Sequence, residues 1–353
     1  MPAKCISTRV VLISLLFLSA GGYGPGTMAE AQSAAGPQSA AGPKDTASKD
    51  DKKQVSASAR AAGGGDGDYV GSEVCAGCHA EQQKSFVHTI MGNAMAHPKT
   101  AMDARGCESC HGPGKAHVDA GGGKDTIPVR FTKDSPNTVE EKNAACLSCH
   151  SKGNQMFWRG SPHESRAMAC VDCHEVHYGS QAQRYDQLAA ESRYGSPLSE
   201  HASIRKPQPE LCLQCHQMRR AQLQRSSHMP YREGKVTCTS CHNPHGSPNP
   251  SQLIQSSINE NCYSCHAERR GPFLWEHPPV MENCANCHEA HGTNNPDLLK
   301  VRMPRVCDSC HDSSRHPAQP QPLSSIKNFN RGCTNCHSLV HGSNHPSGNF
   351  FLR

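Results

Sequence analysis

The chain has 353 residues, a net charge of +5, 35 % hydrophobic and 5 % aromatic residues, 30 Gly, 25 Pro and 21 Cys. That makeup is too poor in large apolar side chains, and too rich in turn formers, for an ordinary self-sufficient core. It also leaves no segment after the N-terminus long and apolar enough to cross a bilayer.

The N-terminus reads as an export signal over residues 1–31. Lys4 and Arg9 form a positive start, residues 10–20 an apolar run, and Ala29-Glu30-Ala31 a small-residue cleavage site before Gln32. The run is short for a spanning helix, so cleavage is expected over anchoring. Cys5 falls in the discarded piece, and no lipobox cysteine follows the apolar run. Residues 32–68 are almost entirely Ala, Gly, Ser, Lys, Asp, Gln and Pro with Val55 as the lone large aliphatic, which predicts a low-complexity flexible tether.

Residues 69–353 hold every remaining cysteine, all in ten copies of Cys-x-x-Cys-His. The first five are Cys75, Cys78 and His79; Cys107, Cys110 and His111; Cys146, Cys149 and His150; Cys170, Cys173 and His174; and Cys212, Cys215 and His216. The other five are Cys238, Cys241 and His242; Cys262, Cys265 and His266; Cys284, Cys287 and His288; Cys307, Cys310 and His311; and Cys333, Cys336 and His337. The pattern is the attachment signature of a c-type haem: two thiolates add to the vinyl groups and the adjacent histidine is the proximal iron ligand. A zinc protein also uses Cys-x-x-Cys, but does not need a histidine after each pair. A disulfide framework explains the even number and leaves the histidines idle.

Ten macrocycles would supply the apolar mass that the side chains lack, so folding is expected to depend on haem. They would also bring about twenty propionates, turning the positive chain into an acidic holoprotein and arguing against nucleic acid as a partner. Arg219, Arg220, Arg269 and Arg270 are candidates to meet propionates, with plain solvated charge as the other reading.

The motifs fall into five two-haem units, at about 75–117, 146–177, 212–245, 262–291 and 307–341. Each has one extra histidine between its motifs and one after the second. In order, these are His88 and His117, His163 and His177, His228 and His245, His277 and His291, and His316 and His341. The wording repeats too, as Cys-His-Glu-Val-His at 173–177, Cys-His-Asn-Pro-His-Gly at 241–246 and Cys-His-Glu-Ala-His-Gly at 287–292. Units this short must stack to bury anything, which predicts an elongated array of short helices and irregular loops with little or no sheet.

Ten extra histidines in register with ten motifs predict bis-histidine ligation throughout, these ten being the distal ligands. His97, His201 and His345 are left over, and spacing alone leaves open whether His345 replaces His341. The methionines do not follow the repeat. His177, His245 and His291 come three residues after a proximal histidine; if the turn is helical they share its face and must serve a different haem.

Six-coordinate iron offers no substrate position, so electron transfer is expected rather than catalysis. A multihaem reductase of nitrite or hydroxylamine type would need one open haem, and none of the ten motifs lacks its histidine.

The residues also resemble a family. The runs Asn261-Cys262-Tyr263-Ser264-Cys265-His266-Ala267-Glu268-Arg269-Arg270-Gly271-Pro272, Trp275-Glu276-His277 and Val340-His341-Gly342-Ser343-Asn344-His345-Pro346-Ser347-Gly348 are similar to those of decahaem cytochromes of the MtrA/DmsE/PioA group. The likeness covers about residues 70–353; the stretch before Tyr69 departs from shorter members. It implies a periplasmic electron carrier seated in an outer-membrane β-barrel porin. Such a carrier would take electrons between periplasmic or inner-membrane cytochromes and an extracellular multihaem cytochrome, and so to or from iron or manganese minerals. A soluble periplasmic shuttle, or the donor of an exported reductase, is the other role the group implies.

Overall fold

The computed structural model describes residues 66–193, 203–311 and 332–352. The expected export signal, nearly all of the expected tether, His201 and His316 lie outside them. Among the described residues the chain is built of short helices, turns and loops with five isolated two-residue bridges and no strand. No helix there is long and apolar enough to cross a membrane.

In every unit the first motif begins inside a short helix: Ser72–Cys78, Val139–Leu147, Gln208–Cys212, Ile258–Tyr263 and Arg305–Asp308. Local chemistry starts two of them firmly. Thr138 accepts from the Glu141 amide while Glu141 reaches back to the Thr138 amide, and Ser257 accepts from the Glu260 amide. Such caps contribute about 1 kcal/mol each. The second motif begins at a single turn instead: Glu108–His111, Cys170–Cys173, Cys238–Ser240, Cys284–Asn286 or Cys333–Asn335.

One side chain of the first helix clamps the second turn. The Cys107 amide donates to Ser72 Oγ (3.0 Å), the Cys170 amide to Asn143 Oδ1 (2.8 Å) and the Cys284 amide to Asn259 Oδ1 (2.7 Å). Each acceptor stands three residues before its unit's first cysteine. In the third unit Gln208 does the same for the Thr239 amide at 3.2 Å. The first unit adds a buried carboxylate: Glu108 takes the amides of Val70, Gly71 and Gly114 at 2.7–3.0 Å. The entry segment is thereby pinned to the second motif.

The side-chain core is small. Among the described residues twelve apolar side chains are buried, and three of them, Leu213, Leu223 and Tyr231, form a cluster flanked by Met229 and Val236; others, such as Leu188 and Trp158, are buried apart from it. Polar groups are buried in similar number, Asn143, Gln208, Asn259 and Asn261 among them. Hydrogen bonds, not apolar packing, set the local geometry here.

One expectation is corrected. The chain does not continue as helix from His174 to His177, from His242 to His245 or from His288 to His291. The three proximal residues bridge to Ile204, Leu253 and Leu299. The next amides, of Glu175, Asn243 and Glu289, donate to Ser203, Gln252 and Leu298 carbonyls at 2.7–2.8 Å. Those amides are spent sideways, and Pro244 has no amide to give, so the helix stops.

Candidate haem-binding array

At all ten motifs the histidine amide donates to the carbonyl of the first cysteine, four residues back, at 2.8–3.1 Å. That single closed turn puts both cysteines on one side and projects the imidazole beyond them. Ten independent segments adopt the geometry that a covalently held macrocycle requires. No disulfide joins the twenty motif cysteines, and among the described residues no three His, Cys, Asp or Glu side chains converge as in a zinc centre.

The sulfurs reveal how the motifs follow one another. Within four units, the first, second, fourth and fifth, the two leading cysteines meet. Burial and the adjacent Cys107 push the Cys75 thiol up; hydrogen bonding to Cys170 and Cys284, with burial, does so for Cys146 and Cys262; burial and Cys333 do so for Cys307. Between units the trailing cysteines come close enough for one sulfur's charge to act on the next. Burial first, then the charge of the neighbouring sulfur, raises Cys110 near Cys149, Cys241 near Cys265 and Cys287 near Cys310; Cys173 is raised by burial, then Asp172, then Cys215. Cys78 and Cys336 are the first and last trailing cysteines of the series, and both are exposed. Consecutive motifs are therefore spatial neighbours in chain order, alternating leading and trailing contacts.

The histidines pair across these junctions. Ring centroids stand 5.9–6.3 Å apart for His79 and His117, His163 and His216, His174 and His245, His242 and His291, His277 and His311, and His288 and His341. Every pair joins one motif histidine to one of the extra ten. Two metal–nitrogen bonds of about 2 Å and two imidazole half-widths of about 1 Å add to roughly 6 Å, so the residues fit an iron between them. Five pairs are near-parallel, at 16–20°, and His163 with His216 is crossed at 66°. His177 lies near enough to His111 for its charge to add to the burial that lowers His111.

Where a ring's outer nitrogen is occupied, the other is left for metal. Nδ1 meets a backbone carbonyl in His111 (Val129), His163 (Pro244), His242 (Ser251), His277 (Val340), His288 (Asp297) and His337 (Phe350), at 2.5–3.0 Å. A ligating imidazole carries its proton there. Burial, ahead of neighbouring charge, lowers His111, His216, His277, His291 and His341, and drives His245 to about 4. These rings are neutral at pH 7, as ligation demands.

His341, not His345, stands opposite His288; His345 Nδ1 is taken up by the Ser347 amide at 3.1 Å. His97 is exposed, with Nδ1 on the Asn93 carbonyl. Of the expected propionate partners, Arg270 forks onto Glu260 at 2.6 and 3.0 Å, while Arg269 and Arg219 face Glu268 and Glu289. Arg220 lines a cavity of about 530 Å³ with Arg193 and Arg232.

Sequence reasoning overlooked the loops that anchor the proximal rings. Asn249-Pro250-Ser251-Gln252-Leu253 and Asn295-Pro296-Asp297-Leu298-Leu299 are one loop used twice, and each presents the carbonyl of a left-handed residue, Ser251 (φ 55°) or Asp297 (φ 56°). The repeated Asn-Pro-x-x-Leu spelling was the available signal.

Gly246, Gly292 and Gly342 follow directly after His245, His291 and His341, at φ 107°, 138° and 132°. A Cβ at Gly246 would fall on the Phe157 carbonyl, at Gly292 on the Gln222 carbonyl and at Gly342 on the Phe273 ring, each in the preceding unit. Beyond a conformational cost of about 1–3 kcal/mol, a side chain there drives the two units apart. Gly292→Ala is expected to break the pairing of His291 with His242, read as a new high-spin component in the ferric spectrum of the haem-loaded protein with the remaining signal unchanged.

The chain matches the doubled CXXCH motif family over residues 228–271 and 277–316. It matches the cytochrome c-type NrfB-like proteins over 107–194 and the cytochrome c554 and c-prime family over 38–112. It is 40 % identical over 293 residues to the multiheme cytochrome MtrA of Shewanella baltica (strain OS185), covering 80 % of this chain and 81 % of that protein.

Proposed function

The chain belongs to the multihaem c-type cytochrome family of MtrA, an electron-transfer family, and on that premise we propose that it is a ten-haem wire, ligated by two histidines at every iron. When bound, each haem supplies one-electron iron chemistry, at the lower potentials that two imidazoles favour over imidazole and thioether. The carrying observation is the run of neighbouring sulfurs linking consecutive motifs. Attachment points that follow one another in chain order, joined in the third unit by Gln208 of the first helix on the Thr239 amide of the second turn, suit electron hopping from one end of the chain to the other.

The pairs supply a rule for ligation. The histidine between motifs serves the first haem of the next unit, as His163 faces His216 and His277 faces His311. The histidine after the second motif serves the second haem of the previous unit, as His245, His291 and His341 face His174, His242 and His288. The rule assigns His88 to His150, His228 to His266 and His177 to His111. At the start no earlier unit exists, and His117 turns to His79 of its own unit. By the same closure His316 would serve His337, the haem of Cys333 and Cys336.

We further place the chain as exported, seated in an outer-membrane β-barrel, receiving electrons from or giving them to periplasmic cytochromes on one side and an extracellular cytochrome on the other. A polar, haem-filled chain cannot face lipid, whereas a barrel lumen is polar. Mild-detergent pulldown of the native protein from outer membranes, with mass spectrometry of partners, tests this. A stoichiometric β-barrel is the expected companion. Recovery only from the soluble periplasm, alone or with a reductase, overturns the conduit and leaves a shuttle.

A further inference from the structure

The extra histidines that follow the second motifs occupy equivalent places, yet their outer nitrogens meet different chemistry. His291 Nδ1 lies 2.9 Å from Glu289 Oε1, whose residue is two positions earlier. At the same position before His245 stands Asn243; its side-chain oxygen takes the His245 amide, and His245 Nδ1 is buried without a partner. Before His177 stands Glu175, whose carboxylate points at Arg184 at 3.5 Å. Before His341 stands Leu339, and the nearest group to His341 Nδ1 is the Arg269 guanidinium at 3.4 Å.

We infer that Glu289 is a redox-positioning residue: its carboxylate takes the Nδ1 proton of His291 and sets the haem of His242 and His291 at the lowest potential of this equivalent set. The inference rests on the ligation proposed above. An imidazole that donates to a carboxylate gains anionic character, pushes more electron density to iron and favours the ferric state. A carbonyl acceptor does this less, and an unpartnered or cation-facing nitrogen not at all. Several contacts keep Glu289 in place. The His291 amide also donates to it at 3.3 Å, its own amide is fixed on the Leu298 carbonyl at 2.8 Å, and its side chain is 27 % exposed. Arg219 faces the same Glu289 oxygen at 3.6 Å, beyond hydrogen-bond distance, and its hydrogen bond goes to Gln222, so the 2.9 Å contact with His291 is the stronger claim on that oxygen.

The other carboxylate contact of this kind among the described residues joins Glu268 to the proximal His266. It is longer, 3.4 Å, between side chains more than half exposed, and Arg269 shares the same oxygen. Solvent and the guanidinium screen it.

The test uses holoprotein carrying Glu289→Gln, followed by potentiometric titration with optical and electron paramagnetic resonance detection. One component is expected to move to more positive potential, with the others fixed and every ferric haem still low-spin. A titration that superimposes on the unmodified protein, with all haems low-spin, overturns the inference and leaves the ligation intact. A new high-spin haem in this variant also overturns it, because Glu289 would then merely hold the ring in place. His291→Ala separates the premise: without a high-spin haem there, the ligation itself fails. Should Glu289→Gln not mature, Asn243→Glu carries the test, with the haem of His174 and His245 expected to move to lower potential; an unmoved curve overturns the inference.

Discussion

Made without haem, by synthesis in a host lacking attachment enzymes or with the twenty motif cysteines changed to serine, the chain is expected to be disordered. Its far-ultraviolet circular dichroism should lack helical bands, thermal melting should show no cooperative step, and limited proteolysis should leave no resistant fragment. The reason is the small core. Twelve buried apolar side chains, only three of them clustered, cannot offset an ordering cost of about 1–2 kcal/mol per residue across five units. The short helices cannot help, because isolated helices of four to nine residues do not hold in water. A protease-resistant, cooperatively melting apoprotein would refute the idea that macrocycles take the place of a core.

The second large effect is non-local. His163→Ala is expected to open the haem of Cys212, Cys215 and His216, and neither haem of the unit in which His163 lies. The observation behind it is the 6.2 Å spacing of His163 and His216, with His163 Nδ1 fixed on the Pro244 carbonyl in that same next unit. Magnetic circular dichroism should show one haem turned high-spin. In a background where Cys212 and Cys215 are alanine, so that this haem is not attached, the same substitution should add no high-spin signal. A high-spin signal that persists in that background would show His163 ligating one of its own unit's haems.

Much of this was legible in the chain itself. Ten Cys-x-x-Cys-His turns are local, each closed by one hydrogen bond between residues four apart, and local geometry is what a motif encodes. The register of extra histidines marked His163, His245, His277, His291 and the rest as a set. Which histidine faces which was not legible, because it depends on contacts between units: Gly292 against Gln222, Val340 against His277, Ser343 bridged to Trp275. The helical phase expected after His174, His242 and His288 failed for a related reason, since amides of Glu175, Asn243 and Glu289 are claimed by segments nine to twenty-eight residues downstream. Carbonyl acceptors such as Val129 and Phe350 carry no side-chain signature at all.

The proposed exchange of ligands between units has a consequence for the order of assembly. A chain that leaves an export channel N-terminus first brings His163 out before His216, and His277 before His311. First-motif haems of those units therefore find their second ligand already waiting. Second-motif haems face the opposite situation: His174, His242 and His288 meet partners, His245, His291 and His341, that emerge only with the next unit. During synthesis the nascent wire would always expose one half-ligated haem at its growing end, open to oxygen or peroxide until the following unit arrives. A pause in translocation at a unit boundary would thus leave a chemically reactive intermediate, and only arrival of the last unit would quench it.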